Sequence, residues 1–428
     1  MDNNLFMRSM VVLASLFAHC GVAADFGDWP AWRGPSATGN IETGIYPDRF
    51  NSQTYRWRTE LPGKGCSTPI IVNRVIYLTA PVDGNDAILA FDKMGNELWR
   101  VPFGPEEPGK HRNASGGNSS PVSDGQAVYA YFKSGTLAAV RADGSVRWQQ
   151  DIVKQYGKEQ LFWDFGTSPV LTSRHLILVR MHDGDSWIAA FEKDSGKLAW
   201  KVDRNYETPV ECDQCYTTPL VINHAGQEAI LTWGAQHITV NSAADGKLLW
   251  SCGNFNPEGN KLWPAIATPV IVDRHVVVPF GRADRDAPLL FGVQLTDQGE
   301  VVHTKHAWKR QNVGTFVPTP AIYQQNILVL GDQGEVELLE PSTGKTLWKN
   351  QLSKHRNKFY ASPLVAGNRV YAVREDGVVF VADISADSFE LKAENDMGQS
   401  IIGSPVPMGD GILLRGEQHL FYVSGEKG

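Results

Sequence analysis

Eight times along this chain a serine or threonine is followed by proline and then by an apolar run. The copies are Thr68-Pro69, Ser120-Pro121, Ser168-Pro169, Thr218-Pro219, Thr268-Pro269, Thr319-Pro320, Ser362-Pro363 and Ser404-Pro405, with successive prolines 42 to 52 residues apart. A fixed period of this length marks a repeat architecture in which each unit packs on its neighbours. Proline suits the first position of a strand, where its missing N–H removes no ladder bond. Within the first unit the order is Ile70-Ile71-Val72, Val75-Ile76-Tyr77-Leu78, Ala87-Ile88-Leu89-Ala90-Phe91 and Glu97-Leu98-Trp99-Arg100. Four short strands with turns between them, iterated, predict the blades of a β-propeller. Helical periodicity is not evident.

A second repeat falls on the fourth strand. Asp194-Ser195-Gly196-Lys197-Leu198-Ala199-Trp200 recurs as Asp245-Gly246-Lys247-Leu248-Leu249-Trp250 and Ser342-Thr343-Gly344-Lys345-Thr346-Leu347-Trp348, with looser copies ending at Trp99 and Trp148. Glycine supplies the positive φ of a tight turn. Trp57, Trp99, Trp148, Trp200, Trp250, Trp308 and Trp348 are read as structural docking residues between blades, each able to bury roughly 150–250 Å². Unit seven carries Phe389-Glu390-Leu391 in place of the Trp strand, and unit eight ends without a fourth strand. The missing strand is found upstream, at Thr54-Tyr55-Arg56-Trp57-Arg58. The expected fold is therefore all-β: an eight-bladed propeller of four-stranded antiparallel blades, its ring closed by the N-terminal strand completing the last blade. Closure leaves no unpaired edge between first and last blades.

The chain divides into a signal peptide at 1–24, an N-terminal extension at 25–53 and a single propeller at 54–428. Arg8 precedes the apolar run Met10 to Ala18, and Val22 and Ala24 occupy the small-residue cleavage positions. Export to the periplasm or outside the cell is expected, with no membrane span after cleavage. A net charge of −7 without a long basic run argues against a nucleic-acid partner. Four cysteines follow the signal: Cys66, Cys212, Cys215 and Cys252. A disulfide between Cys212 and Cys215 is the expectation, with a bridge to Cys252, free thiols or a metal as alternatives.

The Gly-Lys-Leu-x-Trp turns, eight units around, resemble the tryptophan-docking repeat of the PQQ-type β-propeller family. The chain is also similar in length and blade count to the propeller lipoprotein subunit of the outer-membrane barrel-assembly machinery. Its opening Asp28-Trp29-Pro30-Ala31-Trp32-Arg33-Gly34-Pro35 resembles the start of exported PQQ-repeat proteins of planctomycete-type bacteria. The resemblance implies the fold, and a binding or scaffold role for an envelope protein or a small anionic or aromatic ligand. The alternative it implies is a quinoprotein oxidoreductase, using pyrroloquinoline quinone with calcium on an alcohol or sugar. The adjacent-cysteine pair common in such enzymes is missing, and no cofactor, metal or catalytic residue is assigned.

Propeller function tends to sit on loops around the channel mouth. The loops entering the first strands carry His111, Trp163, Asp164, Tyr216, Trp263 and Tyr360. They either plug the channel or form a stacking platform. At the ends of the second strands Lys133, Arg180, Arg282, Arg374 and Arg415 fall at similar positions, each before an acidic or polar turn. They form either a cationic ring for a carboxylate-bearing ligand or a set of local ion pairs. His303 and His306 are read as part of an outer hairpin, too badly spaced to share a metal.

Overall fold

In the computed structural model, which describes residues 27–297 and 301–425, the glycine and tryptophan of one repeat do not meet each other. Each Trp docks instead on the turn of the next blade. Trp57 donates its indole N–H to the Lys93 carbonyl at 3.0 Å, Trp148 to that of Lys193 at 2.8 Å, and Trp200 to that of Ala243 at 3.2 Å. The ring lies on the glycine of that next turn. A Cβ built on Gly95, Gly196 or Gly246 would fall 2.5 to 2.7 Å from the indole of Trp57, Trp148 or Trp200. Those glycines also hold φ between 70° and 81°. Two constraints, handedness and clearance, thus fix one residue type.

Eight sheets surround a central channel. Blade 1 comprises Ile70–Val72, Val75–Val82, Asn85–Phe91 and Glu97–Pro105, ordered from channel to rim. Blades 2 to 7 begin with inner strands Val122–Ser123, Val170–Leu171, Leu220–His224, Val270–Val272, Ala321–Tyr323 and Leu364–Ala366. Blade 8 takes Val406–Met408, Gly411–Arg415 and His419–Ser424 from the C-terminal end, and Trp57–Glu60 as its outer strand. Trp57 lies opposite Tyr422 and Glu60 opposite His419, in antiparallel register. The expected closure of the ring is what the structure has. Blade 7 uses Phe389–Asp396 as its outer strand, with Phe389 packed against Trp348 at 5.5 Å.

Three features depart from the sequence expectation. The segment carrying His303 and His306 is not a hairpin: Val302–His303 crosses to pair in parallel with Leu248–Cys252, adding a fifth strand to blade 4. His303 stacks on Trp250 at 5.2 Å, and His306 reaches the Gly253 carbonyl at 3.0 Å. The four cysteines among the described residues are free. Cys212 and Cys215 do not bridge because their thiols face different carbonyls, Asn260 at 3.3 Å and Trp233 at 3.0 Å. Cys252, the alternative partner, is buried against Gly253. Finally, one short helix, Ile152–Tyr156, is capped by Asp151 at the base of the loop into blade 3.

The segment after residue 27 is part of the disc. Trp29 exchanges backbone hydrogen bonds with Ile71 of blade 1, and the Pro30 carbonyl accepts from Ser123 of blade 2. The chain then crosses the channel. The Thr38 carbonyl accepts from Ile322 of blade 6, and Asn40–Ile41 pairs in parallel with Val365 and Ala366 of blade 7. Arg33, 3% exposed, anchors the crossing by donating to the carbonyls of Pro363 at 3.0 Å, Thr38 at 3.1 Å and Pro320. Burial pulls its guanidinium down to about 9. The proposed leader, residues 1–24, lies outside the described residues.

Candidate functional site

Above this crossing the Ser/Thr-Pro repeats form a closed belt. The Thr68 amide donates to the Ser120 hydroxyl at 2.9 Å, Ser120 to Ser168 at 2.9 Å, and Ser168 to Thr218 at 3.1 Å. Thr218 donates to Thr268 at 3.0 Å, Thr268 to Thr319 at 2.9 Å, and Thr319 to Ser362 at 2.9 Å. Ser362 donates to Ser404 at 3.2 Å, and Ser404 back to Thr68 at 3.1 Å. Every blade is thereby linked to the next at the channel, as the tryptophans link seven of the eight junctions at the rim. The sequence displayed the repeat but not this use of its hydroxyls. Replacing Thr218 with valine keeps the shape and strands the buried Ser168 amide, which should cost about 1–3 kcal/mol. Thr218→Ser should cost less than half of that, and equal urea midpoints for the two variants would count against the belt.

The belt walls a cup of about 570 Å³, open on the face of the loops entering the first strands. Trp32 of the crossing segment lines it from below, with the Arg33 guanidinium 5.9 Å from its ring centre. Higher up, the lining includes Cys66, His111, Asn113, Asn118, Trp163, Asp164, Tyr216, Arg282, Asp284, Phe316, Asp332, Lys358 and Tyr360. A strap formed by Lys110 to Asn113 spans part of the mouth. On one side the amides of Lys110 and His111 donate to Asp164 of the blade 3 loop, at 2.8 and 3.1 Å. On the other, Arg112 and Asn113 donate to Glu375 of blade 7 at 2.9 and 2.7 Å. The His111 ring lies edge-on to Trp163 at 5.4 Å and to Tyr360 at 6.4 Å.

Of the residues singled out from sequence, His111, Trp163, Asp164, Tyr216, Arg282 and Tyr360 converge on the cup. Trp263 does not; it packs edge-on to Phe280 at 5.5 Å. The cations do not form a ring around the channel. Lys133 pairs with Asp164 at 2.7 Å and Arg180 with Glu159 at 2.9 Å. Arg282 forks onto Asp284 with two 2.7 Å bonds, and Arg374 onto Asp376 at 2.9 and 3.0 Å. Arg415 is fully buried and donates to the Ser67 carbonyl at 2.9 Å, while burial lowers it to about 10. Local ion pairs with acids of the same or the adjacent loop are thus the arrangement present for four of the five, and for Arg282 and Arg374 the acid lies two positions away. Trp32, Asp284, Asp332 and Lys358 were not singled out: Asp284 was visible only as part of the turn after Arg282, and only the crossing brings Trp32 to the channel.

Asp332 is the cup's most perturbed acid. It is 3% exposed, and burial raises its carboxyl to about 6 although the Phe316 and Val317 amides donate to it at 2.6 and 3.1 Å. An unfolded carboxyl titrates near 3.9. The folded chain therefore holds the proton more tightly, so stability falls as pH rises from about 4 through about 6. Buried Asp86, also raised to about 6, acts in the same direction. Urea midpoints of Asp332→Asn should fall less steeply over this window than those of the parent chain; parallel curves would refute the assignment.

The group that a quinone-repeat resemblance implies can be tested against these donors. Among the described residues no three His, Cys, Asp or Glu side chains converge as a metal site requires. Of the two cations that line the cup, Arg282 is already paired to Asp284, and Lys358 shares the lining with Asp164, Asp284 and Asp332. This donor set does not fit a tricarboxylate quinone held through calcium.

A closed ring of eight four-stranded blades with a loop-built cup defines a PQQ-type β-propeller. The family model described as outer membrane protein assembly factor BamB matches residues 51–182 and 292–388, just over half the chain, and the protein belongs to that family. The outer membrane protein assembly factor BamB of Burkholderia pseudomallei is 23% identical over 365 residues, covering 82% of each chain. The crystal structure of BamB from Moraxella catarrhalis superposes with a TM-score of 0.63 at 13% identity, over 86% of this chain and 99% of that one. Quinohemoprotein alcohol dehydrogenase from Comamonas testosteroni superposes with a TM-score of 0.67 at 14% identity, over 95% of this chain and 82% of the enzyme. Both structural likenesses speak to the fold alone. Among the described residues no helix is long and apolar enough to cross a membrane.

Proposed function

We propose that this protein is an exported scaffold of the cell envelope that holds protein partners during outer-membrane assembly, in the manner its family description names. The observation that supports this most directly is a cluster of exposed apolar side chains on neighbouring loops of blades 3 and 4. Phe162 is 56% exposed, Trp163 44% and Val210 61%. The two loops are tied together, since the Phe162 amide donates to Gln214 at 2.8 Å and the Trp163 amide to the Tyr216 hydroxyl at 3.0 Å. Apolar groups displayed on a rigid frame, with few partners of their own, are the usual anchors of a protein interface. A photo-crosslinking residue at position 162 should capture an envelope protein that the same residue at rim position 347 does not. Deleting the gene should lower the outer membrane's content of β-barrel proteins. Restoration by the parent chain but not by Phe162→Glu/Val210→Glu supports the reading; equal restoration by both overturns it. The quinoprotein reading remains the second outcome: dye reduction with an alcohol or sugar after adding pyrroloquinoline quinone and calcium would replace the scaffold.

A further inference from the structure

We propose that the cup is a second binding site, adjoining the exposed loop cluster at Trp163, and that it takes a short neutral oligosaccharide. The argument begins with charge. Asp164, Asp284 and Asp332 line the cup against two cations, Arg282 and Lys358, and Arg282 is forked onto Asp284, so an anionic ligand would meet more carboxylates than free cations. A cationic ligand finds those carboxylates already engaged. Asp164 accepts from two amides and from Lys133, Asp284 is forked by Arg282, and Asp332 accepts from two amides. Displacing Lys133 from Asp164, which is 7% exposed, would leave a buried charge uncompensated, at a cost larger than a new contact returns.

Neutral polar capacity is what the cup has left over. A hydroxyl that accepts one N–H still has its own proton to donate. Thr68, Ser120, Ser168, Thr218, Thr319, Ser362 and Ser404 all line the cup and all accept from the preceding blade. Among the described residues none of these hydroxyls donates to a protein acceptor. They form a belt of donors facing ligand oxygens, and Asn113 and Asn118 add amides above it. Aromatic surface is supplied at two depths, by Trp32 beneath and by Trp163 and Tyr360 at the mouth. Pyranose rings combine just these needs: ether and hydroxyl oxygens around the edge, and C–H faces that lie on an indole. A cup of about 570 Å³ is within the usual range of about 300–1,000 Å³ for small-molecule sites.

The test uses the purified mature chain and defined probes. Maltotriose, cellotriose and chitotriose are titrated at up to about 10 mM, where even a Kd near 1 mM gives near-full occupancy. Trigalacturonate and trilysine are the charged controls. Tryptophan fluorescence and titration calorimetry are the readouts. At least one neutral trisaccharide should bind saturably and shift the emission, and Trp32→Ala should weaken it at least about tenfold. Because Trp32 belongs to the crossing segment, Trp163→Ala serves as the second variant: its melting temperature should hold while affinity falls. The proposal is overturned if no neutral trisaccharide binds, if a charged control binds as tightly, or if binding survives both substitutions. Crosslinking at position 162 is unaffected by any of these results, so the cup and the scaffold stand or fall separately.

Discussion

Replacing Trp250 with alanine should destabilise the disc by about 3–5 kcal/mol, the range for emptying a buried aromatic site. Trp250 is 2% exposed, stacks on His303 and donates to the Thr296 hydroxyl at 3.2 Å. It is the rim tryptophan covered by a fifth strand, so the cavity cannot be relieved by solvent. Trp99 performs the same docking, donating to the Ala142 carbonyl at 2.9 Å, but its ring is only half-buried. Trp99→Ala should therefore cost less than half as much. Urea midpoints compare the two, and similar losses would mean that the covering strand contributes nothing.

The second large effect concerns closure. A chain beginning at Gly63 lacks both the channel crossing and the outer strand of blade 8, and it exposes the edge of His419–Ser424. An unpaired edge recruits other chains. This truncation should aggregate or fall to protease at temperatures where the parent chain survives. Appending residues 54–62 after Gly425 through a short turn should restore a monomer. Trp57 lies opposite Tyr422 in antiparallel register, so a tight hairpin can join the two strands. A permutant that remains aggregated would show that the crossing, rather than the strand, holds the ring together. Light scattering and limited proteolysis decide between these.

Both effects trace to elements visible in the chain itself. Proline after each Ser/Thr set the blade count, and the register of tryptophans located Trp57 as the eighth outer strand. Those features are local and periodic, which is why they can be read without neighbours. The cup was legible only in part. Trp163, Asp164 and Tyr216 could be placed on mouth loops because each precedes a recognised Ser/Thr-Pro by a few residues. Lys133, Arg180 and Arg374 sit at equally regular positions, yet their partners are acids in loops whose fold the period does not specify, and Arg415 ends on the Ser67 carbonyl. Trp32 and Arg33 depend on a crossing that joins residues some 330 positions apart in sequence. The disulfide expected at Cys212 and Cys215 failed for a related reason: the loop turns the thiols toward separate carbonyls.

The channel crossing also gives the disc a polarity. Asp28 receives the Asn73 amide at 2.9 Å, at the turn that ends the first strand of blade 1. That turn lies on the face away from the cup, because each first strand runs from the belt toward it. The described chain thus begins on the underside, while the strap, the exposed Phe162 and the cup all face the other way. A tether at that end would hold the protein as a dish holds its receiver, mouth outward, with its binding face presented to the space beyond the surface that anchors it.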